Sequence, residues 1–327
     1  MAVVLVTGGA GYVGSHACKA LVEAGHEPVT YDNFATGWRD AVRFGPVFEG
    51  DILDSDALDE AFRQYKPEAV MHFAALSCVP EAELRPADYW RNNVSGSLQL
   101  LSSAYAHKVT SVVFSSTCAT YAPTSGAALV ETSAQIPANV YGRTKLAVEN
   151  LLGDFETAYG VRSVVFRYFN AAGADPDGKI GEDHRPETHL IPLVLDAASG
   201  RRDAISVFGS DYDTADGTCV RDYVHVSDLA QAHVLGLNWL LEGKDSLRLN
   251  LGTTHGHSVR DVIETARRVT GCNIAVKEAD RRPGDPPCLV SVSDRAERVL
   301  GWTCKHPDLA SMISDAWKWH QRGGYAR

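Results

Sequence analysis

A tyrosine and a lysine four residues apart are the side chains of this sequence best suited to acid–base chemistry. On a helix, Tyr141 and Lys145 share one face, and an ammonium group beside a phenol stabilises the phenolate. Tyr141 could therefore remove a proton from an alcohol, provided that its pKa falls several units from about 10, which a second positive charge would favour. A surface pair on an amphipathic helix has the same spacing, so the pair alone is a weak indicator.

A glycine-rich turn near the start of the chain could bind a pyrophosphate. An apolar run at 2–6 is typical of a buried strand, and apolar residues recur at helical spacing over 13–24. Between them, Gly8 can adopt a positive φ, Gly11 lets the backbone approach a diphosphate, and Gly14 lets the helix pack closely on the sheet. The helix N-terminus would receive the anion, so the sequence predicts a dinucleotide-binding turn.

The residue after the second predicted strand indicates which dinucleotide is bound. Asp32 follows an apolar run at 28–31, close to the ~20-residue offset at which an acid binds the adenosine ribose hydroxyls. A carboxylate there would repel a 2′-phosphate, so NAD is favoured over NADP; the alternative is a turn residue before Asn33. Asp51, after the predicted strand 46–50, could contact the adenine or cap a helix.

Strands and helices alternate along the chain. We predict strands at 69–74, 111–115 and 162–168 and helices at 88–107 and 141–159. This alternation predicts an α/β fold with a Rossmann-type doubly wound parallel sheet that binds ligands at the carboxyl ends of its strands. Thr117 lies at one such end, where it could contact a substrate oxygen beside Tyr141 or only cap a turn. Together, the glycine turn, this strand end and the Tyr141–Lys145 pair indicate hydride chemistry on an alcohol.

The predicted domain organisation is bipartite. We predict an NAD-binding Rossmann domain over 1–170, to which a helix and a strand within 227–251 return, and a smaller α/β substrate-binding domain over 171–226 and 252–327. The segment 171–190 is rich in Gly, Pro, Asp and His and is predicted to form long loops. Further helices are predicted at 258–271 and 307–320.

Charge and composition exclude several classes of protein. The net charge of -10 and the scattered basic residues argue against nucleic-acid binding. No apolar run approaches the ~18 residues of a membrane span, and Met1 leads directly into the first strand, so we expect a cytoplasmic protein without a membrane partner. The seven cysteines are widely spaced without a C-x-x-C pair, as expected in a reducing compartment.

No metal site is predicted from the sequence. His255 and His257 are the close histidine pair, and neither cysteines nor acids adjoin them. The acidic loop 211–217 has Ala215 and Asp216 where an EF-hand requires an oxygen ligand and a glycine, so calcium binding is disfavoured.

The chain resembles the extended short-chain dehydrogenase/reductase family over essentially its whole length, and within it the UDP-glucose (UDP-galactose) 4-epimerases. The motifs that carry the resemblance lie at 7–16, 31–33, 50–52, 72–75, 92–94, 141–145, 167–171, 181–183, 208–209, 216–218, 221–226 and 282–285. The early motifs are shared by the superfamily, whereas the later ones are typical of the epimerases.

The resemblance implies a reversible C4 epimerisation. Tyr141 as phenolate would take the proton of the sugar 4-hydroxyl while hydride passes from C4 to tightly bound NAD⁺. The 4-keto sugar would rotate about its link to the diphosphate and regain hydride on its other face. Lys145 would also hold the nicotinamide ribose, and Thr117 stands where the family usually has serine.

The resemblance also assigns binding residues by position. The cofactor would be bound by Gly8, Gly11, Tyr12, Val13, Gly14, Asp32, Asn33, Asp51, Ile52, Phe73, Ala74, Ala75, Asn92, Ser115, Tyr141, Lys145 and Tyr168. The UDP-sugar would be bound by Thr117, Tyr141, Asn170, His189, Leu190, Ser206, Val207, Phe208, Arg221, Tyr223, Arg282, Asp285 and Leu289.

Particular roles follow for five of the substrate-binding residues. Asn170, Arg221 and Arg282 would bind the diphosphate, because guanidinium groups suit phosphate geometry. Phe208 would lie near the uridine and Asp285 near the ribose. The alternatives are an exposed ion pair of Arg221 with the next residue, an aspartate, and a plain core role for Phe208.

Three departures from the family pattern affect the expected specificity. Ser77 stands where a lysine is common, and His189 replaces an amide. Leu289, or Cys288 if the alignment shifts by one, replaces a tyrosine that narrows the sugar pocket in some members. A roomier pocket could accept UDP-N-acetylhexosamines, or a UDP-pentose could be the substrate.

The sequence also bears on alternative activities and on the oligomeric state. Nucleotide-sugar dehydratases place an acid pair directly after the catalytic threonine, where this chain has Cys118 and Ala119, so a dehydratase is disfavoured. A non-catalytic NAD sensor is disfavoured by the intact Tyr141, Lys145 and Thr117, and a nucleotide-sugar reductase stays as a less favoured alternative. The family implies a homodimer formed through the helices at 88–107 and 141–159.

Overall fold

The structure is a computed structural model that describes residues 1–123, 128–282 and 285–325. The strands are β1 Val3–Thr7, β2 Glu27–Asp32, β3 Val47–Glu49, β4 Ala69–His72, β5 Ser111–Thr117, β6 Arg162–Tyr168, β7 Asn170–Ala172, β8 Ile205–Phe208, β9 Val220–His225, β10 Leu247–Leu251, β11 Gly256–Ser258, β12 Val276–Ala279 and β13 Cys288–Leu289. The helices are α1 Tyr12–Glu23, α2 Ser55–Tyr65, α3 Val79–Leu84, α4 Pro86–Tyr89, α5 Gly96–Ala106, α6 Val140–Tyr159, α7 Leu190–Ala198, α8 Val226–Leu241, α9 Val259–Thr270, α10 Asp294–Leu300 and α11 Leu309–Gln321.

A parallel sheet of seven strands, as far as the described residues go, forms the centre of the molecule. Its order is β10-β6-β5-β4-β1-β2-β3, and all neighbouring pairs run parallel. The chain starts in the middle, moves outward to β3, and returns past β1 to β4 through β6. The order therefore reverses beside β1, where ligands bind in doubly wound sheets.

Side chains alternate across the sheet and build one core on each face. In β1, Val4 and Val6 join the core formed with α1 and α8, whereas Leu5 joins the core formed with α2, α5 and α6. This alternation follows from the two-residue period of a strand, and burial on both faces explains the continuous apolar runs. The predicted Rossmann-type α/β fold is confirmed.

Smaller sheets and three helices complete the C-terminal part of the chain. β9 pairs with β7, β11 and β13, and β8 pairs with β12. A third core packs α7, α9 and α11 against these strands. Since β7 follows β6 after a single residue, the small sheets begin at the carboxyl end of the large one.

Some elements differ from the sequence prediction. The helix predicted over 88–107 is α4 and α5 joined by a π-helical segment, Trp90–Ser95. The strand predicted to end at residue 115 continues to Thr117. The middle residues of the 282–285 motif, Pro283 and Gly284, lie outside the described residues. None of the helices in the described ranges combines the length and the apolar composition needed to cross a membrane.

Candidate active site

The turn between β1 and α1 brings a closely packed backbone to the carboxyl end of the sheet. Gly8 has a φ of +73°, and a Cβ there would lie 2.6 Å from the backbone nitrogen of Ala74. A Cβ on Gly14 would lie 2.1 Å from the carbonyl oxygen of Gly8, so this glycine is required by the turn itself rather than by helix–sheet packing. No side chain in the described part of the molecule caps α1, which leaves its first N–H groups available to an anion.

Asp32 ends β2 beside this turn. Its carboxylate oxygens accept hydrogen bonds from the backbone N–H groups of Ala10 (3.0 Å) and Phe34 (2.9 Å). Burial raises the pKa of the carboxyl group, and these two N–H groups oppose the rise. The next residue, Asn33, donates from its amide to the carboxylate of Asp51 at 3.0 Å. Asp32 is thus held rigidly at the edge of the glycine turn.

Tyr141 and Lys145 lie in the first turns of α6, and the Lys145 Nζ is 5.9 Å from the centroid of the Tyr141 ring. Asn139 caps this helix by accepting the N–H of Gly142 at 2.7 Å. The Lys145 Nζ donates to the carbonyl oxygen of Ser115 at 2.9 Å, at the end of β5. Helix and strand are therefore locked together where the acid–base side chains lie.

Burial is the largest influence on the pKa values of Tyr141 and Lys145. It raises the pKa of Tyr141 above its usual value, with Tyr168 and Cys118 adding to the rise and a hydrogen bond with Thr117 opposing it. Burial also lowers the pKa of Lys145 to about 7. The surroundings of the pair therefore favour the neutral phenol.

A cavity of about 300 Å³ connects the glycine turn with Tyr141. Gly11 and Asp32 line one end, and Thr117 and Asn170 line the other. All the residues predicted to bind the cofactor line this cavity except Asp51, which lies behind Asn33. The cavity thus joins a site shaped for a dinucleotide to the partly buried phenol of Tyr141.

Comparison with known proteins identifies the family. Residues 4–252 match the NAD dependent epimerase/dehydratase family. The chain belongs to this family. The UDP-glucose 4-epimerase of Rhizobium leguminosarum bv. trifolii is 52% identical over 319 residues, which are 98% of this chain and 97% of the relative.

Solved structures of epimerases superpose on the whole fold. The crystal structure of UDP-glucose 4-epimerase from Brucella ovis in complex with NAD gives a TM-score of 0.95 at 48% identity and covers 97% of this chain and 98% of that one. The structure of UDP-glucose-4-epimerase from Stenotrophomonas maltophila with bound NAD and formylated UDP-arabinopyranose gives a TM-score of 0.95 at 38% identity and covers 99% of each chain.

The residues predicted to bind substrate fall into separate places of this epimerase/dehydratase fold. Asn170 and His189 line the cavity with Tyr141 and Thr117. Beyond the cavity, the guanidinium group of Arg282 lies 4.1 Å from the centroid of the Phe208 ring. Phe208 is only partly buried, so it is not a plain core residue.

Arg221 contacts the carboxylate of Asp285, and the two side chains are 12% and 25% exposed. The alternative of an exposed pair between Arg221 and the following aspartate is wrong, because Asp222 is fully buried. Asp222 instead accepts hydrogen bonds from Thr253 and Ser291. Two residues predicted from the family, Arg221 and Asp285, are therefore neighbours.

The other predicted substrate-binding residues are buried to different degrees. Val207 and Tyr223 are buried in the third core, so their side chains face apolar neighbours. Ser206 is half-buried in β8, and Leu190 begins α7. Leu289 in β13 packs against the small cluster that contains Phe169, which itself lines the cavity.

Sequence reasoning missed several residues of the cavity wall. Leu76, Phe169, Glu182 and His184 line it but were not predicted. Glu182 and His184 belong to a segment that was expected to be only a loop, and no regular spacing distinguishes them. The family motif at 181–183 was the available signal, but it assigned no role to these side chains.

The segment 182–189 folds so that four ionisable side chains meet, which we call the 182–189 cluster: Glu182, His184, Glu187 and His189. The Nδ1 atom of His189 lies 2.8 Å from a Glu182 oxygen and 3.0 Å from a Glu187 oxygen. Burial opposes a charge on His189, but the attraction of Glu182 prevails and raises its pKa to about 11. His189 is therefore held by carboxylates at the cavity wall.

Proposed function

We propose that this protein catalyses the reversible C4 epimerisation of a UDP-sugar, interconverting UDP-galactose and UDP-glucose, with NAD as its bound cofactor. The observation that carries the proposal is the continuity of one cavity from the glycine turn to the Tyr141–Lys145–Thr117 group. The family and its full-length epimerase relatives support the same activity.

The cavity fits NAD at its first end. The uncapped start of α1 and the turn around Gly8, where a Cβ would clash with backbone, suit a pyrophosphate. Asp32 suits the ribose hydroxyls and would repel a 2′-phosphate. When bound, NAD supplies a hydride acceptor that takes hydrogen from the sugar and returns it. The cofactor-binding set predicted from the sequence is retained in this proposal.

The chain's own acid–base work falls to Tyr141. It removes the proton from the sugar 4-hydroxyl and returns it when the other epimer forms, while Thr117 hydrogen-bonds the same oxygen. Because burial raises the pKa of Tyr141, the phenolate forms only when the positive charge of Lys145 is joined by that of the oxidised cofactor. Proton removal is thereby linked to the oxidised state.

The sugar nucleotide is bound toward the small sheets. We propose that Asn170, Arg221 and Arg282 bind the diphosphate, since two guanidinium groups can offer several N–H donors to it. Phe208, beneath Arg282, offers an apolar face to the uracil, and Asp285 can accept from a ribose hydroxyl. His189, which also lines the cavity, would contact the substrate there.

The proposal is tested with the purified protein and no added NAD. We expect absorbance from bound cofactor and conversion of UDP-galactose to UDP-glucose. Tyr141→Phe should keep the cofactor and lose turnover by about 10²–10⁴-fold, because it retains the ring but loses the proton acceptor. Tyr65→Phe, at a tyrosine that does not line the cavity, is the control. Wild-type turnover in Tyr141→Phe would refute the assignment of the base.

We propose that the enzyme also accepts UDP-sugars larger or smaller than UDP-glucose, namely UDP-N-acetylhexosamines or a UDP-pentose. Leu289 stands where a tyrosine narrows the pocket in some family members, and it packs on the cluster that contains the cavity residue Phe169. Turnover of UDP-galactose, UDP-N-acetylgalactosamine and UDP-arabinose should therefore be compared. We expect Leu289→Tyr to reduce turnover of the acetylated sugar most; no wild-type turnover of that sugar would exclude the wider pocket.

We further propose a homodimer formed through α5 and α6. These helices expose Leu98, Tyr105 and Tyr159, which are 45%, 45% and 48% exposed. Such apolar exposure is typical of an interface. Leu98→Glu should shift the wild-type dimer toward monomer in sedimentation equilibrium.

The seven unpaired cysteines fit the proposed cytoplasmic location.

A further inference from the structure

We propose that the 182–189 cluster is a binding site for a divalent transition metal ion of the zinc class. The sequence predicted no metal site, since its histidine and acid patterns elsewhere lacked suitable partners. The fold, however, brings together Glu182, His184, Glu187 and His189, whose ligand atoms all lie within 4.8 Å of one another. Two imidazole nitrogens with two carboxylate oxygens form a ligand set that zinc prefers over magnesium or calcium.

The spacing of the ligand atoms agrees with a tetrahedral site. Bonds of about 2.0–2.2 Å to zinc place neighbouring ligand atoms about 3.3–3.6 Å apart in a tetrahedron. The His184 Nδ1 lies 3.1 Å from a Glu182 oxygen and 3.8 Å from a Glu187 oxygen. From the His189 Nδ1, the same Glu182 oxygen lies at 2.8 Å and the other Glu187 oxygen at 3.0 Å. These four distances lie within about 0.5 Å of the tetrahedral separation, and the widest pair of ligand atoms, up to 4.8 Å apart, would have to close by up to about 1 Å.

Contacts around the cluster fix its ligands in place. Trp319 donates from its indole to the carbonyl oxygen of Glu182 at 2.9 Å, and Trp38 donates to that of Asp183 at 2.7 Å. The backbone N–H groups of Thr188 and His189 donate to Glu187 at 2.7 and 2.8 Å. Hydrogen bonds of this kind orient ligands and strengthen metal sites. The carboxylates of Glu182 and Glu187 are only 8% and 13% exposed.

A divalent ion would match the charge of the cluster. The two carboxylates attract positive charge, which the neighbouring histidines supply when protonated and which one divalent ion would supply with four ligand bonds when it displaces those protons. His184 also packs against Tyr12 at the start of α1, with ring centroids 6.4 Å apart. A bound ion would therefore link the 182–189 segment to the wall of the cofactor cavity and stabilise both.

The test uses the full-length protein after treatment with a chelator and dialysis. Zn²⁺ is titrated by calorimetry, and Co²⁺ is used as a visible-absorbance probe of four-coordinate geometry. We expect one Zn²⁺ per chain and a higher melting temperature when it is bound. In Glu187→Gln and His184→Gln, affinity should fall at least tenfold, whereas His255→Gln, at an exposed histidine outside the cluster, should bind as the wild type does.

The outcomes separate a metal site from a set of ion pairs. Absence of saturable Zn²⁺ binding, or equal affinity in the wild type and both cluster variants, would overturn the proposal. Two cluster variants are used, so that if one shows a folding defect by circular dichroism, the other still tests the proposal. Since the readout is metal binding and not turnover, its failure would leave the proposed epimerase activity intact.

Discussion

Burial works against the chemistry proposed for Tyr141. Its phenol and the Lys145 ammonium lie close together, yet burial raises the pKa of the first and lowers that of the second to about 7. The sequence pattern placed the two side chains on one helix, as the structure has them, but the pattern alone does not show how dry their surroundings are. The enclosed position favours the neutral phenol, so the proposed base would need the added positive charge of the bound cofactor.

Gly14 offers a sharp test at the residue scale. In Gly14→Ala the added Cβ would lie 2.1 Å from the Gly8 carbonyl oxygen, a backbone atom that cannot move aside alone. We expect the turn to distort, so that bound cofactor falls at least tenfold and the melting temperature drops. Cofactor absorbance per protein and a thermal melt would measure both.

Gly153 in α6 is the matched control, because a Cβ there meets nothing within 4 Å. Gly153→Ala should keep its cofactor and gain up to about 1 kcal/mol in free energy of unfolding, as alanine favours helix interiors. If both variants retain wild-type cofactor content, the tight turn does not determine binding.

At the scale of elements, a buried ion pair attaches α6 to the sheet. Arg167 in β6 donates to both carboxylate oxygens of Glu149 in α6, at 2.6 Å in the shortest contact, and both side chains are 4% exposed. The hydroxyl of Ser116, next to Thr117, also donates to Glu149 at 2.5 Å. The network thus connects the helix that bears Tyr141 with the strand that bears Thr117.

Breaking this pair should destabilise the protein. Arg167→Leu leaves the Glu149 carboxylate buried without its partner, and we expect the free energy of unfolding to fall by about 3–5 kcal/mol. The double variant Glu149→Gln with Arg167→Leu should recover part of the loss, because no charge remains buried. Urea titrations would measure both; equal losses in the single and double variants would contradict this explanation. Arg260→Leu, which breaks an exposed pair, is the control.

The elements of the large sheet were predictable because each carries a local pattern. β6 matches its predicted bounds, since its apolar run is flanked by turn residues. The short strands β7 and β13 were missed, because three and two residues hold no period and are defined by pairing with β9. The predicted domain boundary at residue 170 stays a prediction.

The residues of the site also differ in whether a local sequence pattern could locate them. The glycine turn, Asp32 and the Tyr141–Lys145 pair are each defined by a short motif, so they could be located from the sequence. The contact of Arg221 with Asp285 joins residues 64 positions apart, which no local pattern reveals. The 182–189 cluster lies in a loop that accepts hydrogen bonds from two tryptophans distant in sequence, which no local pattern reveals either.

On the scale of the whole molecule, buried histidines make stability depend on pH. His233 in α8 is fully buried, with its ring centroid 4.7 Å from that of Phe73 and 4.9 Å from that of Phe166. Burial lowers its pKa to about 4, and burial with the charge of Lys145 lowers that of His72 to about 3. Both are neutral in the folded protein.

We therefore expect acid to unfold the protein partly through these groups. Their folded pKa values lie below the unfolded value of about 6.5, so the unfolded chain binds more protons as the pH falls from 6.5 toward 4. Each histidine then removes up to about 1.4 kcal/mol per pH unit from the free energy of unfolding. His233→Leu should flatten the dependence by that amount in urea titrations between pH 8 and 4. An unchanged slope in His233→Leu would show that this histidine does not contribute.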